Sequence, residues 1–162
     1  QSPPDRVRCL QVTSAAQMHD AVMAVIMATD IFVAAAAVAD YRCVTVAPQK
    51  LKKTDPSIAL TLEKTTDILA EVAGLSDPPF TVGFAAETDN LEENARAKLK
   101  AKGLDIIAAN LVGEDLGFDQ ENNALDLYWG EDCLSLEQAP KDKLARRLIH
   151  IIAEQFHEKH SD

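Results

Sequence analysis

One apolar segment restricts the fold of this chain more than any other. Residues 31–38 read IFVAAAAV and contain no polar side chain, and a polar stretch beginning at Asp40 follows. The run is far shorter than the roughly 20 residues that cross a bilayer, and it suits a strand buried on both faces. Open α/β sheets bind ligands just beyond the carboxyl ends of such strands. We therefore expect a ligand site near Asp40, and the lysine-rich segment 50–53 favours a phosphorylated ligand.

The rest of the chain alternates between strand-like and helix-like patterns. This alternation predicts one α/β domain over residues 1–162, with a doubly wound, mainly parallel, Rossmann-like sheet. We expect further strands at 7–12, 58–62, 80–85 and 105–109, and helices at 14–27, 67–75 and 90–102. A C-terminal β-hairpin is predicted at 124–136, followed by a closing amphipathic helix over 141–157. The strand, glycine-rich turn and helix that usually open such a sheet are not found in this sequence.

Composition excludes several classes of function. The formal net charge of -10 argues against general nucleic-acid binding, because a phosphate backbone would be repelled. No apolar run has the length of a membrane span. Cys9, Cys43 and Cys133 have neither CxxC nor His-paired spacing, so they are interpreted as reduced thiols of a cytoplasmic protein rather than as metal ligands.

Several charged residues near predicted strand ends have two interpretations each. Lys98 and Lys102 lie four residues apart on one predicted helix, where they are either ordinary surface residues or a clamp for a diphosphate or triphosphate. Asp40 either fixes the turn after its strand or binds a ribose hydroxyl or Mg²⁺. The lysines Lys50, Lys52 and Lys53 are either a solvated charge run or part of the same phosphate site.

Four motifs in order give the chain a family resemblance. They are ADYR at 39–42, VAPQKLKK at 46–53, GFAAET at 83–88 and NNA at 122–124. Through them the chain resembles phosphopantothenate–cysteine ligase, the synthetase part of the bacterial bifunctional coenzyme A biosynthesis flavoprotein. The resemblance implies an ATP-independent, CTP-dependent ligase of coenzyme A biosynthesis. Such an enzyme joins 4′-phosphopantothenate to cysteine through an acyl-cytidylate intermediate.

The resemblance also implies roles for individual residues. Lys50 would bind CTP and assist catalysis, and the other nucleotide-binding positions would be Ala34, Ala35, Ala36, Asp40, Thr66, Asp67, Ile68, Leu69, Phe84, Lys98 and Lys102. Within this set, 66–69 would read the base, and the paired lysines would contact the phosphates. CTP would bind with Mg²⁺, and no metal ligand is assigned in the chain.

Partners follow from the same resemblance. The family forms homodimers in which the loop at 42–57 crosses to the partner subunit. FMN belongs to a decarboxylase domain fused to the synthetase, and that domain is not in these residues. The family's preceding segment, with its glycine-rich turn, is also not here, so the sequence is expected to be the C-terminal portion of a larger protein.

Two other functions remain open on the residues alone. A dinucleotide-binding oxidoreductase would use the same type of sheet but requires a GxGxxG turn, which this sequence lacks. A non-catalytic nucleotide-binding domain fits the composition but does not explain why lysines and Asp40 fall near strand ends.

Overall fold

The computed structural model describes residues 5–47, 49–51, 57–112 and 122–161. The strands within these ranges are β1 Ile31–Ala34, β2 Tyr41–Cys43, β3 Leu62–Lys64, β4 Phe80–Glu87, β5 Ile106–Leu111, β6 Asn122–Trp129 and β7 Asp132–Pro140. The helices are α1 Ala15–Met23, α2 Ile68–Ala73, α3 Leu91–Lys102 and α4 Lys141–Lys159, and a 3-10 turn covers Ile26–Ala28.

The main sheet has the strand order β1-β4-β5-β6-β7. Its first three strands are parallel, with Val33 opposite Val82 and Val82 opposite Ile106. The last two strands form an antiparallel hairpin that also pairs antiparallel with β5. These strands, the C-terminal hairpin and the closing helix α4 confirm the predicted Rossmann-like architecture.

Helices cover both faces of this sheet because successive side chains of a strand point to opposite sides. On one face, Ile106 of β5 belongs to a core with Leu148 and Ile152 of α4. On the other face, Ile107 of β5 packs in a second core with Leu99 of α3. The interior strands β4 and β5 are therefore both buried on the two faces of the sheet.

A third core joins α1 and α2 beside the first strand. Ile68 and Val72 of α2 are buried together with Ile26, and Met18 of α1 and Phe32 of β1 pack against them. This packing holds the N-terminus of α2 close to the carboxyl end of β1, where the ligand site is predicted.

Three predicted strands differ from the structure. Residues 7–12 form no strand, and Val7, Leu10 and Val12 are exposed, since no described strand pairs with this segment. The strand expected at 58–62 begins only at Leu62, where β3 pairs with β2 in a separate two-stranded ribbon.

The first strand is also shorter and less buried than predicted. It ends at Ala34 instead of residue 38, and its residues are only half-buried. The reason is its position, because β1 lies at the edge of the sheet and pairs only with β4 among the described strands. Apolar composition alone does not distinguish an edge strand from a central one.

Capping groups mark the predicted starts of α1 and α2, but α1 ends at Met23 and not at residue 27, and a 3-10 turn at Ile26–Ala28 follows it. Ser14 accepts a hydrogen bond from the backbone N–H of Gln17 at the start of α1, and Asp67 does the same for Ala70 at the start of α2. Helix α3 ends at Gly103, whose φ of 66° lies in the left-handed region that glycine adopts without strain.

No helix in the described part of the chain is both long and apolar enough to cross a membrane.

Candidate functional site

A cleft of about 230 Å³ lies beyond the carboxyl end of β1. We call it the strand-end cleft. It is bordered by the segment after β1, by the start of α2, and by side chains from α1, β1, β4 and α3. Its lining residues are Met18, Phe32, Ala34, Ala36, Ala37, Val38, Ala39, Asp40, Thr65, Thr66, Asp67, Ile68, Leu69, Phe84 and Lys102.

Thr65 fixes the segment after β1 against the start of α2. Its hydroxyl donates to the carbonyl of Ala39, and its backbone N–H donates to the carbonyl of Asp40 at 2.9 Å. These bonds set the path of the chain at Asp40, whose carboxylate has no hydrogen-bond partner among the described residues. Within the described part of the chain, the carboxylate is therefore open to a ligand.

Asp67 and Lys102 form an ion pair within the strand-end cleft. Lys102 Nζ lies 2.8 Å from Asp67 Oδ2, while Asp67 Oδ1 accepts a hydrogen bond from Ala70 N at 3.1 Å. Burial alone would raise the pKa of Asp67, but the bonds from Lys102 and from the backbone N–H groups outweigh it and lower the pKa below its ordinary value. The pair is charged at neutral pH, and an anionic ligand would compete with Asp67 for Lys102.

Gly83 allows side chains to approach the sheet closely beneath the cleft. A Cβ atom at this position would lie 2.8 Å from both Leu69 Cδ2 and Leu104 Cδ1. Leu69 lines the cleft, and the neighbouring Phe84 also borders it with a partly exposed side chain. A side chain at Gly83 would therefore press against Leu69, one of the residues that line the cleft.

The structure brings most of the predicted nucleotide-binding residues together. Those that line the strand-end cleft are Ala34, Ala36, Asp40, Thr66, Asp67, Ile68, Leu69, Phe84 and Lys102. Ala35 is exposed but is not among the lining residues. Lys50 is exposed and makes no polar contact with any described residue, and Lys52 and Lys53 lie outside the described residues.

Lys98 lies one helical turn from Lys102 but has a different partner. Its Nζ is 2.6 Å from Glu87 Oε1, and Asn94 Nδ2 donates to Glu87 Oε2 at 3.3 Å. The Glu87 side chain is only 11% exposed, so this carboxylate holds Lys98 at the carboxyl end of β4. The sequence alone does not give this pairing, because it requires the register of β4 against α3.

No cluster of three or more His, Cys, Asp or Glu side chains that could hold a metal occurs among residues 5–47, 49–51, 57–112 and 122–161. Among the described residues that line the strand-end cleft, the carboxylates are those of Asp40 and Asp67. A metal bound mainly by the chain's own side chains does not fit this arrangement.

A second cleft of about 130 Å³ adjoins the first. We call it the basic cleft, and it is lined by Ala15, Ala16, His19, Asp20, Arg42, Lys64, Thr65 and Thr66. Its two threonines also line the strand-end cleft. His19 Nε2 lies 3.1 Å from Glu71 Oε2, and hydrogen bonds to Glu71 and Asp20 raise the pKa of His19 above its ordinary value.

Comparison with known proteins gives the same family that the motifs indicate. The family model of the DNA/pantothenate metabolism flavoprotein C-terminal domain matches residues 1–156. The coenzyme A biosynthesis bifunctional protein CoaBC of Vibrio cholerae is 49% identical over 94% of the chain, and that of Escherichia coli is 44% identical over 96%. The chain spans only 39% and 40% of the length of these two relatives.

Solved structures extend the likeness to the fold. A crystal structure of the C-terminal domain of CoaBC matches with a TM-score of 0.78 and 31% identity, covering 100% of this chain and 71% of that one. A complex of a Cab2 variant with phosphopantothenate-cysteine matches with a TM-score of 0.67 and 18% identity over 93% of this chain and 54% of that one, which shows the fold alone. By its family match and its close relatives, the chain belongs to the DNA/pantothenate metabolism flavoprotein C-terminal domain family.

Proposed function

We propose that this chain is the synthetase part of a phosphopantothenate–cysteine ligase. It would use CTP, not ATP, to activate the carboxylate of 4′-phosphopantothenate as an acyl-cytidylate. The amine of cysteine would then displace CMP and form the amide of 4′-phosphopantothenoylcysteine. The relatives' names place them in coenzyme A biosynthesis, and the observation that carries the proposal is the strand-end cleft, where residues of the predicted nucleotide site meet.

The geometry of the cleft supports a nucleotide as its ligand. Ala34 and Ala36 leave space beside the edge of the sheet, so that a planar base can approach the backbone. Thr66 and Asp67 lie at the start of α2, with polar groups beside that space. A cytosine would be read by these groups, and a larger purine would fit less well.

Positive charge is needed because the first step brings two anions together. The carboxylate of the acid attacks the α-phosphate of CTP, and pyrophosphate leaves. Lys102 in the cleft, Lys98 on the same helix and Lys50 on the loop after β2 would offset this repulsion and stabilise the leaving group. The second step depends mainly on proximity, because an acyl phosphate is already activated and the amine has only to be held near it.

Mg²⁺ fits the site as an ion carried by the nucleotide. In proteins, Mg²⁺ is commonly held by one or two carboxylates together with substrate phosphates and water. Asp40 and Asp67 are the carboxylates of the strand-end cleft that would hold it. When bound there, the ion would neutralise phosphate charge.

A homodimer is proposed as the functional unit. Exposed apolar side chains are concentrated on the β2–β3 ribbon and the segments next to it, and they are Tyr41, Val44, Val46, Leu51, Ile58, Leu60 and Leu62. Surfaces of this kind mark interaction sites, since scattered single residues are normal but a cluster is not. A second copy of the chain would bury this ribbon and bring its loop over the neighbouring cleft.

The whole protein is proposed to carry a fused flavoprotein decarboxylase domain that binds FMN, as the family resemblance implies. The names of the relatives describe them only as bifunctional. A cytoplasmic location is proposed from the free thiols of Cys9, Cys43 and Cys133.

Family membership favours the ligase over the dinucleotide-binding oxidoreductase and over a non-catalytic domain.

A pyrophosphate assay on the full-length protein tests the first half-reaction. CTP with 4′-phosphopantothenate is expected to release pyrophosphate, and omission of the acid is expected to abolish release. Asp40→Asn, which removes a carboxylate without a partner among the described residues, should lower the rate, whereas Asp142→Asn on the exposed start of α4 should not. Pyrophosphate release that does not depend on the acid would refute the proposed reaction.

A further inference from the structure

Glu87 ends β4 and lies at the carboxyl edge of the parallel part of the sheet, where open α/β sheets bind ligands. Its Oε1 lies 2.6 Å from Lys98 Nζ, and its Oε2 accepts a hydrogen bond from Asn94 Nδ2 at 3.3 Å. Both carboxylate oxygens therefore have partners on α3, one helical turn apart. These contacts fix the Lys98 side chain to the end of the sheet, whereas a lysine on an open helix face is a flexible point charge.

The turn between β4 and α3 holds Glu87 in this position. Asn94 Nδ2 also donates to the carbonyl of Asp89 at 3.1 Å, so one amide ties the turn to the carboxylate. Asn90 lies in the left-handed region, with a φ of 45°, which asparagine adopts more readily than most residues. The carbonyl of Glu87 accepts a hydrogen bond from the backbone N–H of Val112, just after β5, at 2.8 Å. Glu87 is thus held at its backbone and at both carboxylate oxygens.

The exposure of the two partners decides which charge a ligand meets first. The Glu87 side chain is 11% exposed and the Lys98 side chain 48%, so an anion arriving from solvent meets the ammonium before the carboxylate. In the pair formed by Asp67 and Lys102 the order is reversed, because the acid is 49% exposed and the lysine 33%. An ammonium has three N–H donors, and in the described part of the chain Glu87 accepts one of those of Lys98, which leaves two for a ligand.

We propose that Glu87 is a positioning residue, which holds Lys98 Nζ at the end of β4 so that a phosphate group of the ligand meets an ammonium already in place. A lysine that is ordered before binding does not lose its rotamer freedom when the ligand arrives, and preorganisation of this kind strengthens binding. The assignment of the phosphate to CTP rests on the proposed function, but the holding of Lys98 for a polyphosphate does not.

Calorimetric titration of the full-length protein with inorganic tripolyphosphate tests this role without any catalysis. Glu87→Asp keeps the negative charge but shortens the side chain by one methylene, which draws the carboxylate away from Lys98. Its affinity should fall about 10-fold, as should that of Lys98→Gln, because a charge-assisted hydrogen bond to the anion is lost. The double variant should bind no more weakly than Lys98→Gln alone, since both residues act through one ammonium.

Glu92→Asp is the matched control for Glu87→Asp. It shortens another acid by one methylene, in this case one that pairs with Arg96 at 2.8 Å on the same helix. Because this ion pair does not involve Lys98, Glu92→Asp should bind tripolyphosphate as tightly as the unchanged protein.

Pyrophosphate release shows whether the same residue acts in the reaction. Glu87→Asp should lower kcat/KM for CTP about 10-fold and leave the KM for 4′-phosphopantothenate unchanged, because Lys98 is expected to contact the nucleotide and not the acid. A merely structural role would instead lower the urea midpoint and add its loss of affinity to that of Lys98→Gln. Such additive losses, equal binding by Glu87→Asp and the unchanged protein, or no saturable tripolyphosphate binding would overturn the proposal. A failed ligase assay alongside the expected binding series would refute only the proposed function.

Discussion

Gly83 is a single position at which the packing of the sheet and the shape of the candidate site are coupled. Gly83→Ala would place a methyl group 2.8 Å from the side-chain ends of Leu69 and Leu104. Since overpacking costs about 1–3 kcal/mol and both leucines can rotate, we expect a loss of about 1 kcal/mol in the free energy of unfolding. Urea unfolding measures this loss, and displacement of Leu69 should also weaken nucleotide binding.

Gly74→Ala is the matched control for Gly83→Ala. Gly74 has a φ of -84°, which alanine adopts readily, and the nearest atom to an added Cβ is 3.3 Å away. Its effect on stability and on nucleotide binding should be smaller. Equal effects of the two variants would mean that the close approach at Gly83 is not what shapes the cleft.

Lys50 is expected to affect the chemistry and not the fold. It is exposed and makes no polar contact with the described residues, so Lys50→Gln should change stability by no more than about 0.5 kcal/mol. If its charge stabilises the transition state, pyrophosphate release should fall roughly 10²-fold. Lys100→Gln changes an exposed lysine on α3 and serves as the control. Normal turnover of the Lys50→Gln variant would show that Lys50 is only a solvated loop residue.

At the scale of elements, a half-buried histidine connects two helices beside the clefts. His19 of α1 contacts Glu71 of α2 at 3.1 Å, and its pKa is raised by Glu71 and Asp20. A group with a raised folded pKa contributes stability that is fully present below the unfolded pKa, about 6.5, and is lost as pH rises through the folded pKa. The free energy of unfolding should therefore decrease as pH rises through the folded pKa of His19.

Chemical unfolding of His19→Gln and His150→Gln checks this pH dependence. In the unchanged chain, the free energy of unfolding should fall between about pH 6 and about pH 8, the range in which histidine titrates. In the His19 variant, this fall should be absent. The His150 variant should keep it, because His150 pairs only with Glu154 of its own helix among the described residues. An unchanged pH dependence in the His19 variant would show that the contact with Glu71 carries no stability.

The elements that could be predicted from sequence are those with local signals. Helix α3 combines helical periodicity with a terminal glycine at Gly103, and α2 begins at a capping aspartate, Asp67. The strand predicted at 7–12 failed because weak alternation does not supply a pairing partner. The edge position of β1 could not be predicted either, since it depends on which strands are present to pair with it.

The candidate site was predictable only in part, because some of its contacts depend on how distant segments pair and pack. The resemblance identified residues that the structure gathers at the strand-end cleft, including Asp40, Asp67 and Lys102. The basic cleft was missed because Arg42, Lys64 and His19 are far apart in sequence and meet only through the pairing of β2 with β3 and the packing of α1. The pairing of Lys98 with Glu87 was missed because it depends on helix-to-strand register.

At the scale of the whole molecule, the exposed ribbon predicts self-association. Ile58, Leu60 and Leu62 alternate along the segment that enters β3 and are all more than half exposed. Light scattering should report twice the chain mass at micromolar concentration. Leu60→Asp should shift the protein towards a monomer, whereas Ile149→Asp, on the exposed side of α4, should not. A monomeric protein with full ligase activity would contradict the proposed dimer.

The proposed ligase activity is tested most directly by mass spectrometry of the amide product. The full-length protein is incubated with 4′-phosphopantothenate, cysteine and either CTP or ATP. The account predicts 4′-phosphopantothenoylcysteine with CTP, and little or none with ATP. Absence of the amide with CTP, or equal yields with the two nucleotides, would contradict it.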